Sequence, residues 1–284
     1  MEKYAPVFVT KWSGEKRPFS DEKVRASLKK AGAATDTIDR IMEELYQQLY
    51  PGIPTRVIYR IAFDLLKHAS RHVAARYNLK QAIFELGPSG FPFEKFIAEL
   101  FGNTGFTVTT NVIMEGHCVK HEVDVLAKQL KHTLIIECKY HQQGGTFCDV
   151  KTPLYFHARC EDIAQNTARY SGPFEGCLVT NTRFSADALQ YGNCAGLQLL
   201  SWDYPANKGI KDIIDRSGLY PLTCLTTLSR AEKYRLLEKG IILCSALQAH
   251  PAYLDEVKVS PARRGLLMAE IDGLCKKDEF TVPH

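Results

Sequence analysis

No apolar run in the 284-residue sequence approaches the ~20 residues needed to cross a bilayer, and the opening Met-Glu-Lys-Tyr-Ala-Pro has no basic segment leading into an apolar one. A membrane-spanning or exported protein is therefore not expected, and the compartment indicated is cytoplasmic. Cysteine is absent from the first 117 residues, and the nine that follow, from Cys118 to Cys275, are odd in number and contain no C-x-x-C pair. This pattern argues against a disulfide framework and fits reduced thiols. Internal repeats and low-complexity tracts are also missing. So is the G-x-x-x-x-G-K-[ST] loop, so ATP hydrolysis of the P-loop kind is not expected.

What is present is an ordinary globular composition, 45% apolar and 24% charged, which rules out disorder as the main state. At roughly 100–200 residues per domain the length indicates two or three domains. The 36 Lys and Arg against 32 Asp and Glu give a net charge of +4, and its distribution is more informative than its sum. Residues 1–86 carry 15 basic and 10 acidic side chains, residues 87–205 carry 9 and 12, and residues 206–284 carry 12 and 10. An acidic middle between two basic flanks directs attention to clustered carboxylates there.

Val7 to Lys11 and Trp12 to Phe19 read as two short strands around a turn at Gly14. Ser20 is placed to cap a helix that Gly32 stops. Ile38, Ile41, Met42, Leu45 and Leu49 recur at helical spacing, ended by Pro51-Gly52. A third helix starts near Thr55 with Val57, Ile58, Ile61, Leu65 and Ala69 inward, and a fourth runs from Ala74 to Leu86. The breaker cluster Gly87-Pro88-Ser89-Gly90-Phe91-Pro92 marks a segment boundary. Beyond it, a helix carrying Phe93, Phe96, Ile97, Leu100 and Phe101 precedes strands at Phe106–Val112, Cys118–Lys128, Thr133–Tyr140, Gly176–Thr180 and Leu197–Trp202. Helices from Leu154 and Ser185 are interleaved with them, the pattern of an α/β domain with a mixed sheet. Helical spacing returns from Ile210 to the end.

Side chains alternate faces along a strand, so Glu122 and Asp124 are expected on one face, with His121, Val123 and Val125 on the other. By the same parity Glu137 and Lys139 emerge together, away from Ile136 and Cys138. Two adjacent strands then present Asp124, Glu137 and Lys139 to one spot. Two carboxylates suit Mg²⁺ (or Mn²⁺), and an ammonium beside them suits phosphodiester hydrolysis, orienting water and countering charge on the phosphate. A plainer alternative is a same-face ion pair between Glu137 and Lys139. Cys118-x-x-His121 with Cys138-x-x-His141 admits a further alternative, a Cys₂His₂ zinc site, although residues three apart on a regular strand face opposite ways.

Asp124 followed by Glu137-Cys138-Lys139 resembles the PD-(D/E)xK nuclease motif. With Phe93-Glu94-Lys95-Phe96, Gly105-Phe106-Thr107-Val108, Leu178-Val179-Thr180-Asn181 and Leu199-Leu200-Ser201-Trp202, residues of about 90 to 205 resemble the Mrr-type restriction endonuclease and Holliday-junction resolvase branch. The resemblance implies a restriction-endonuclease-like α/β core with Glu94, Asp124 and Glu137 as metal ligands, Lys139 as the catalytic lysine and DNA as the substrate. For Glu94 the helix macrodipole offers a second reason for a carboxylate at that place. In the following helix Arg159 and Asp162 are spaced for an i, i+3 pair, and Arg159, Lys151 and Arg169 are also candidates for DNA phosphate contacts.

Val9-Thr10-Lys11, Gly14, Pro18-Phe19-Ser20, Lys23-Val24 and Ala74-Ala75-Arg76-Tyr77 resemble the ATP-cone, a regulatory nucleotide-binding domain. The resemblance implies that Lys11, Ser20, Lys23 and Thr55 contact ATP or dATP, with lysines meeting phosphates near a helix N-terminus. The family's hairpin reads Lys-Arg-Asp-Gly; Trp12-Ser13 here replace Arg-Asp, leaving Arg17, Arg56 or Arg60 as substitute phosphate partners, and Tyr59 stands where the family often has His. The C-terminal segment reads as an αα-hairpin around Gly240 with Arg263 and Arg264 on its surface, loosely like a helix-hairpin-helix. The expected α/β multidomain chain comprises an ATP-cone (1–88), a nuclease domain (89–205) and a helical C-terminal extension (206–284). The expected activity is a nucleotide-regulated, Mg²⁺-dependent DNA endonuclease, possible as a homodimer for double-strand cutting. The competing expectation is a catalytically inactive, nucleotide-responsive DNA-binding or assembly module.

Overall fold

The computed structural model describes residues 7–11, 14–130, 132–170 and 173–276. β1 (Phe8–Thr10) and β2 (Lys16–Pro18) form the expected antiparallel hairpin; Trp12 and Ser13 of its turn lie outside the described residues. Ser20 caps α1 (Asp21–Lys30), its hydroxyl accepting from the Lys23 N–H at 3.3 Å, and Gly32 leaves the helix at φ +91°. α2 (Thr35–Gln48) buries Ile38, Ile41, Met42 and Leu45, the stripe read from the sequence. β3 (Ile53–Pro54) pairs parallel to β1 and leads directly into α3 (Thr55–Ala69). In α3 the fully packed stripe is Ile58, Ala62 and Leu66, while Val57, Ile61 and Leu65 are only partly covered, so the helix is rotated from the expected face. The expected fourth helix is two, α4 (Arg71–Tyr77) and α5 (Leu79–Phe84), separated at Asn78, whose Oδ1 accepts from the Tyr59 hydroxyl at 2.6 Å.

α6 (Phe91–Gly102) begins after Gly90 at φ +82°, a conformation that a Cβ disfavours. It is followed by β4 (Thr107–Glu115), β5 (Lys120–Gln129), β6 (His132–Lys139), β7 (Phe147–Cys148), α7 (Lys151–Ala164), β8 (Phe174–Thr180), β9 (Arg183–Phe184), α8 (Ala186–Cys194) and β10 (Gln198–Leu200). The main sheet runs β10-β8-β6-β5-β4, with β4, β5 and β6 antiparallel and β6, β8 and β10 parallel. This is the mixed sheet expected. The C-terminal helices are α9 (Ile210–Ser217), α10 (Arg230–Glu238), α11 (Cys244–Ala249), α12 (Tyr253–Glu256) and α13 (Pro261–Cys275).

Among the described residues, three apolar cores hold these layers. The first lies within residues 9–74, under the hairpin and α1 to α4. The second covers one face of the main sheet, where Val125, Ile136 and Val179 meet Phe93, Phe96 and Ile97 of α6 and continue into Ile214, Leu236, Leu267 and Leu274. The third covers the opposite face with Phe156, Cys160 and Ile163 of α7 and Ala188 of α8. Ala74 belongs to the first core and Ala75 to the second, so the packing changes inside α4, ahead of the breaker cluster at 87–92.

Candidate active site and nucleotide cleft

The parity expected for β6 is seen: Ile136 and Cys138 pack into the second core, while Glu137 turns to α7 and accepts from Arg159 Nη1 at 2.5 Å. In β5 the alternation breaks. Val123 packs in the third core and Val125 in the second, so these two residues do not share a face as expected. The reason lies next door, where Thr110 pairs with Val125, Val112 pairs with Val123, and the intervening Asn111 takes φ +54°. A left-handed residue opposite Asp124 twists the ladder, and Asn tolerates that conformation better than most. β5 and β6 are paired only as far as Val125 and Ile136. Beyond that point the Asp124 carboxylate takes over, accepting from the Cys138 N–H at 2.7 Å.

Glu94, in the first turn of α6, joins this group from the second-core side. Burial, followed by Asp124, Glu122 and Glu137, pushes its carboxyl up to about 7. Burial, followed by Asp124, does the same to Glu137, also to about 7, despite Arg159 and Lys139 acting in the other direction. Asp124 is raised by burial, against the Cys138 hydrogen bond and the Arg159 charge. The structure thus brings Glu94, Asp124, Glu137 and Lys139 into one electrostatic neighbourhood. Burial and neighbouring carboxylates oppose ionisation of these three groups even beside Arg159 and Lys139, and such perturbed groups concentrate at functional sites. As arranged, no three His, Cys, Asp or Glu side chains among the described residues form a ready metal cage, and a guanidinium occupies Glu137. In kind, however, the donor set suits a hard divalent cation, which takes oxygen ligands and relieves this crowding.

Arg159 and Asp162 do not pair with each other. Arg159 also donates to the Glu122 carbonyl at 3.0 Å and lies 5.0 Å over the Tyr155 ring. Asp162 accepts from the Cys118 N–H at 2.8 Å and contacts His121 Nε2 at 2.7 Å, interactions that hold its carboxyl well below the usual range. The zinc alternative is thereby disfavoured: His121 is engaged by Asp162, and the Cys138 side chain packs against the second core. Among the proposed phosphate contacts, Arg169 pairs with Glu115 at 2.8 Å. The part that sequence reasoning missed is the role of Arg159, because its partner lies on another element and local spacing suggested Asp162.

A second feature lies against the N-terminal block. Thr10 at the end of β1, Lys11 after it, Thr55, Arg56 and Tyr59 at the start of α3, and Lys80 on α5 line a cleft of about 990 Å³. Of the residues expected to meet nucleotide, Lys11 and Thr55 line it and Ser20 and Lys23 do not; Ser20 is occupied as the α1 cap. Arg56 is there, whereas Arg17 bonds Glu15 at 2.6 Å. Arg263 and Arg264 both remain partly exposed, as expected, but Arg263 is held by Glu232 at 2.8 Å and Arg264 pairs with Asp255.

The fold and these two features define a mixed α/β protein with an N-terminal ATP cone, a carboxylate-rich site on the interior strands β5 and β6, and a helical C-terminal region. Residues 7–81 match the ATP cone domain, and residues 220–275 match the family described as AF1548-like, C-terminal. An uncharacterised protein of Archaeoglobus fulgidus is 32% identical over 175 residues, 61% of this chain and 97% of that protein. The chain belongs to the family of that Archaeoglobus protein. The crystal structure of a protein of unknown function, AF1548, is 29% identical with a TM-score of 0.54, covering 66% of this chain and 99% of that one. MspJI restriction endonuclease in complex with a 27-mer oligonucleotide overlaps 45% of this chain and 29% of its own at 14% identity, with a TM-score of 0.28. No helix among the described residues is long and apolar enough to cross a membrane.

Proposed function

We propose that this chain is a Mg²⁺- or Mn²⁺-dependent DNA endonuclease with a restriction-endonuclease-like core, regulated by ATP or dATP on its cone. The observation that carries this reading is the crowding of Glu94, Asp124 and Glu137, with Lys139 following two residues after Glu137 on the same strand face. In this reading the three carboxylates hold the ion, which when bound supplies Lewis acidity toward water and a phosphate oxygen. Lys139 donates to the attacking water or to the phosphate, where negative charge grows. Asp124, fixed by the Cys138 N–H, sets the position of the β6 end on which Glu137 and Lys139 stand. The functional division proposed is a cone at 1–88, a nuclease domain at 89–205 and a helical extension at 206–284. Double-strand cleavage by a single site per chain calls for two copies.

The test is nicking of plasmid, branched and single-stranded DNA with Mg²⁺ or Mn²⁺, with and without ATP, beside Asp124→Asn and Lys139→Ala. Wild type is expected to cleave, and either substitution to lower the rate at least about 100-fold. Equal inertness of wild type and variants on all three substrates sinks the enzyme reading. It favours the second one, a nucleotide-responsive DNA-binding or assembly module, whose support is the 2.5 Å Arg159–Glu137 contact that neutralises a proposed ligand.

A further inference from the structure

The cleft beside the cone has a second wall that does not belong to the cone. Gln142, Gln143, Gly144 and Gly145, in the loop after β6, line it together with Thr55 and Arg56. This places the loop three residues from Lys139 and five from Glu137. At about 990 Å³ the space is at the upper end of the roughly 300–1,000 Å³ typical of small-molecule sites. Its charged lining residues, Lys11, Arg56 and Lys80, are all basic. The N-terminal turn of the 15-residue α3 opens on it, adding backbone N–H groups to the cations. Tyr59 and Phe84 contribute aromatic surface. Gly145, at φ +90°, brings backbone to the cleft in a conformation that favours glycine.

Contacts tie this wall to the carboxylate site. The Tyr140 hydroxyl donates to the Phe84 carbonyl at 2.6 Å, and the Tyr140 ring lies 5.6 Å from Phe93 of α6, the residue before Glu94. His141 is clamped by Asn181 through two hydrogen bonds of 2.8 Å, His141 N–H to Oδ1 and Nδ2–H to the His141 carbonyl. Gln142 Nε2 donates to the Pro88 carbonyl at 3.1 Å. The loop is therefore anchored on the segments that carry Glu94 and Lys139.

We propose that the loop of residues 142–145 forms half of the nucleotide site, so that a nucleoside triphosphate bridges the cone and the end of β6. Regulation then acts by direct contact with the strand that carries Glu137 and Lys139. The proposal rests on the reading of the cone as a working nucleotide site, and the experiment separates the two. The full chain, the Gln142→Ala/Gln143→Ala double variant and Arg56→Ala are titrated with ATP in a calorimeter, and backbone amide exchange is followed with and without ATP. ATP is expected to slow exchange in wild type both at residues 55–59 and at 142–146. The double variant and Arg56→Ala are each expected to lose about fivefold or more in affinity, the effect of one or two lost polar contacts. Protection confined to the cone, or wild-type affinity in either variant, overturns the bridging site while leaving the nucleotide reading intact. No heat and no protection at millimolar ATP overturns the nucleotide reading, and the inference falls with it.

Discussion

Glu94 lies in the first turn of α6, where the exposed N–H groups favour a carboxylate, yet burial and three neighbouring carboxylates push it up to about 7. Desolvation and like charge outweigh the helix terminus. A carboxyl whose folded pKa exceeds its ordinary 4.5 contributes most to stability below that value and loses the contribution as pH rises through about 7. Glu94→Gln is therefore expected to stabilise the metal-free chain at pH 8 by about 1–2 kcal/mol, solvent screening allowed for, while abolishing metal-dependent cleavage. Thermal unfolding in EDTA and in Mg²⁺ measures this. Glu94→Gln melting above wild type in EDTA, with the gap narrowing or reversing in Mg²⁺, is the expected result; a lower melting temperature in EDTA contradicts it.

Elements differ in how far their own sequence determines them. The α2 stripe was legible because its buried residues fall on one regular face, and the β6 alternation because the strand is regular, with Leu134, Ile136 and Cys138 in one core and Ile135 in the other. The β5 alternation was not, because Asn111 on the neighbouring strand, not β5 itself, sets the twist at Asp124. Likewise α3 contains two adjacent apolar rows, and only packing selects Ile58, Ala62 and Leu66 as the buried one. The site was legible as residue types at strand spacing, but Arg159 depends on where α7 packs. A further element-level case is the start of α10, where Glu232 accepts from the Ser229 N–H at 2.7 Å and from Arg263 Nη1 and Nη2 at 2.8 and 2.9 Å. Arg263, followed by the Ser229 hydrogen bonds, holds the Glu232 carboxyl down at about 2 from an ordinary 4.5. Its contribution is present above 4.5 and is lost as pH falls toward 2. Glu232→Gln is expected to destabilise by about 1–3 kcal/mol at pH 7 and by roughly half as much at pH 3. Chemical denaturation at the two pH values reads the difference, and an equal loss at both assigns the effect to something other than charge.

At the scale of the whole molecule, the second core joins parts that the sequence separates. Leu79, Ala82 and Ile83 of α5, Ile136 and Val179 of the sheet, and Ile214, Leu236, Leu267, Ile271 and Leu274 of the C-terminal helices are all buried in it. Two further bonds close the circuit: Arg76 donates to the Gly273 carbonyl at 3.2 Å, and the Thr223 hydroxyl donates to the Ala82 carbonyl at 2.8 Å. The C-terminal helices thus cover one face of the sheet that positions Glu137. Each fully buried Leu or Ile among them contributes roughly 1.5–3 kcal/mol, so uncovering five costs about 7.5–15 kcal/mol, comparable to the whole 5–15 kcal/mol by which domains are usually stable. A chain ending at residue 205 is therefore expected to aggregate or to melt without cooperativity, whereas residues 1–74, with a core of their own, are expected to keep helical structure. Size-exclusion chromatography and thermal melts of the two fragments decide the matter. A monomeric 1–205 fragment with a cooperative melt near that of the full chain means that the helical extension is dispensable and that the sheet buries its apolar face by other means.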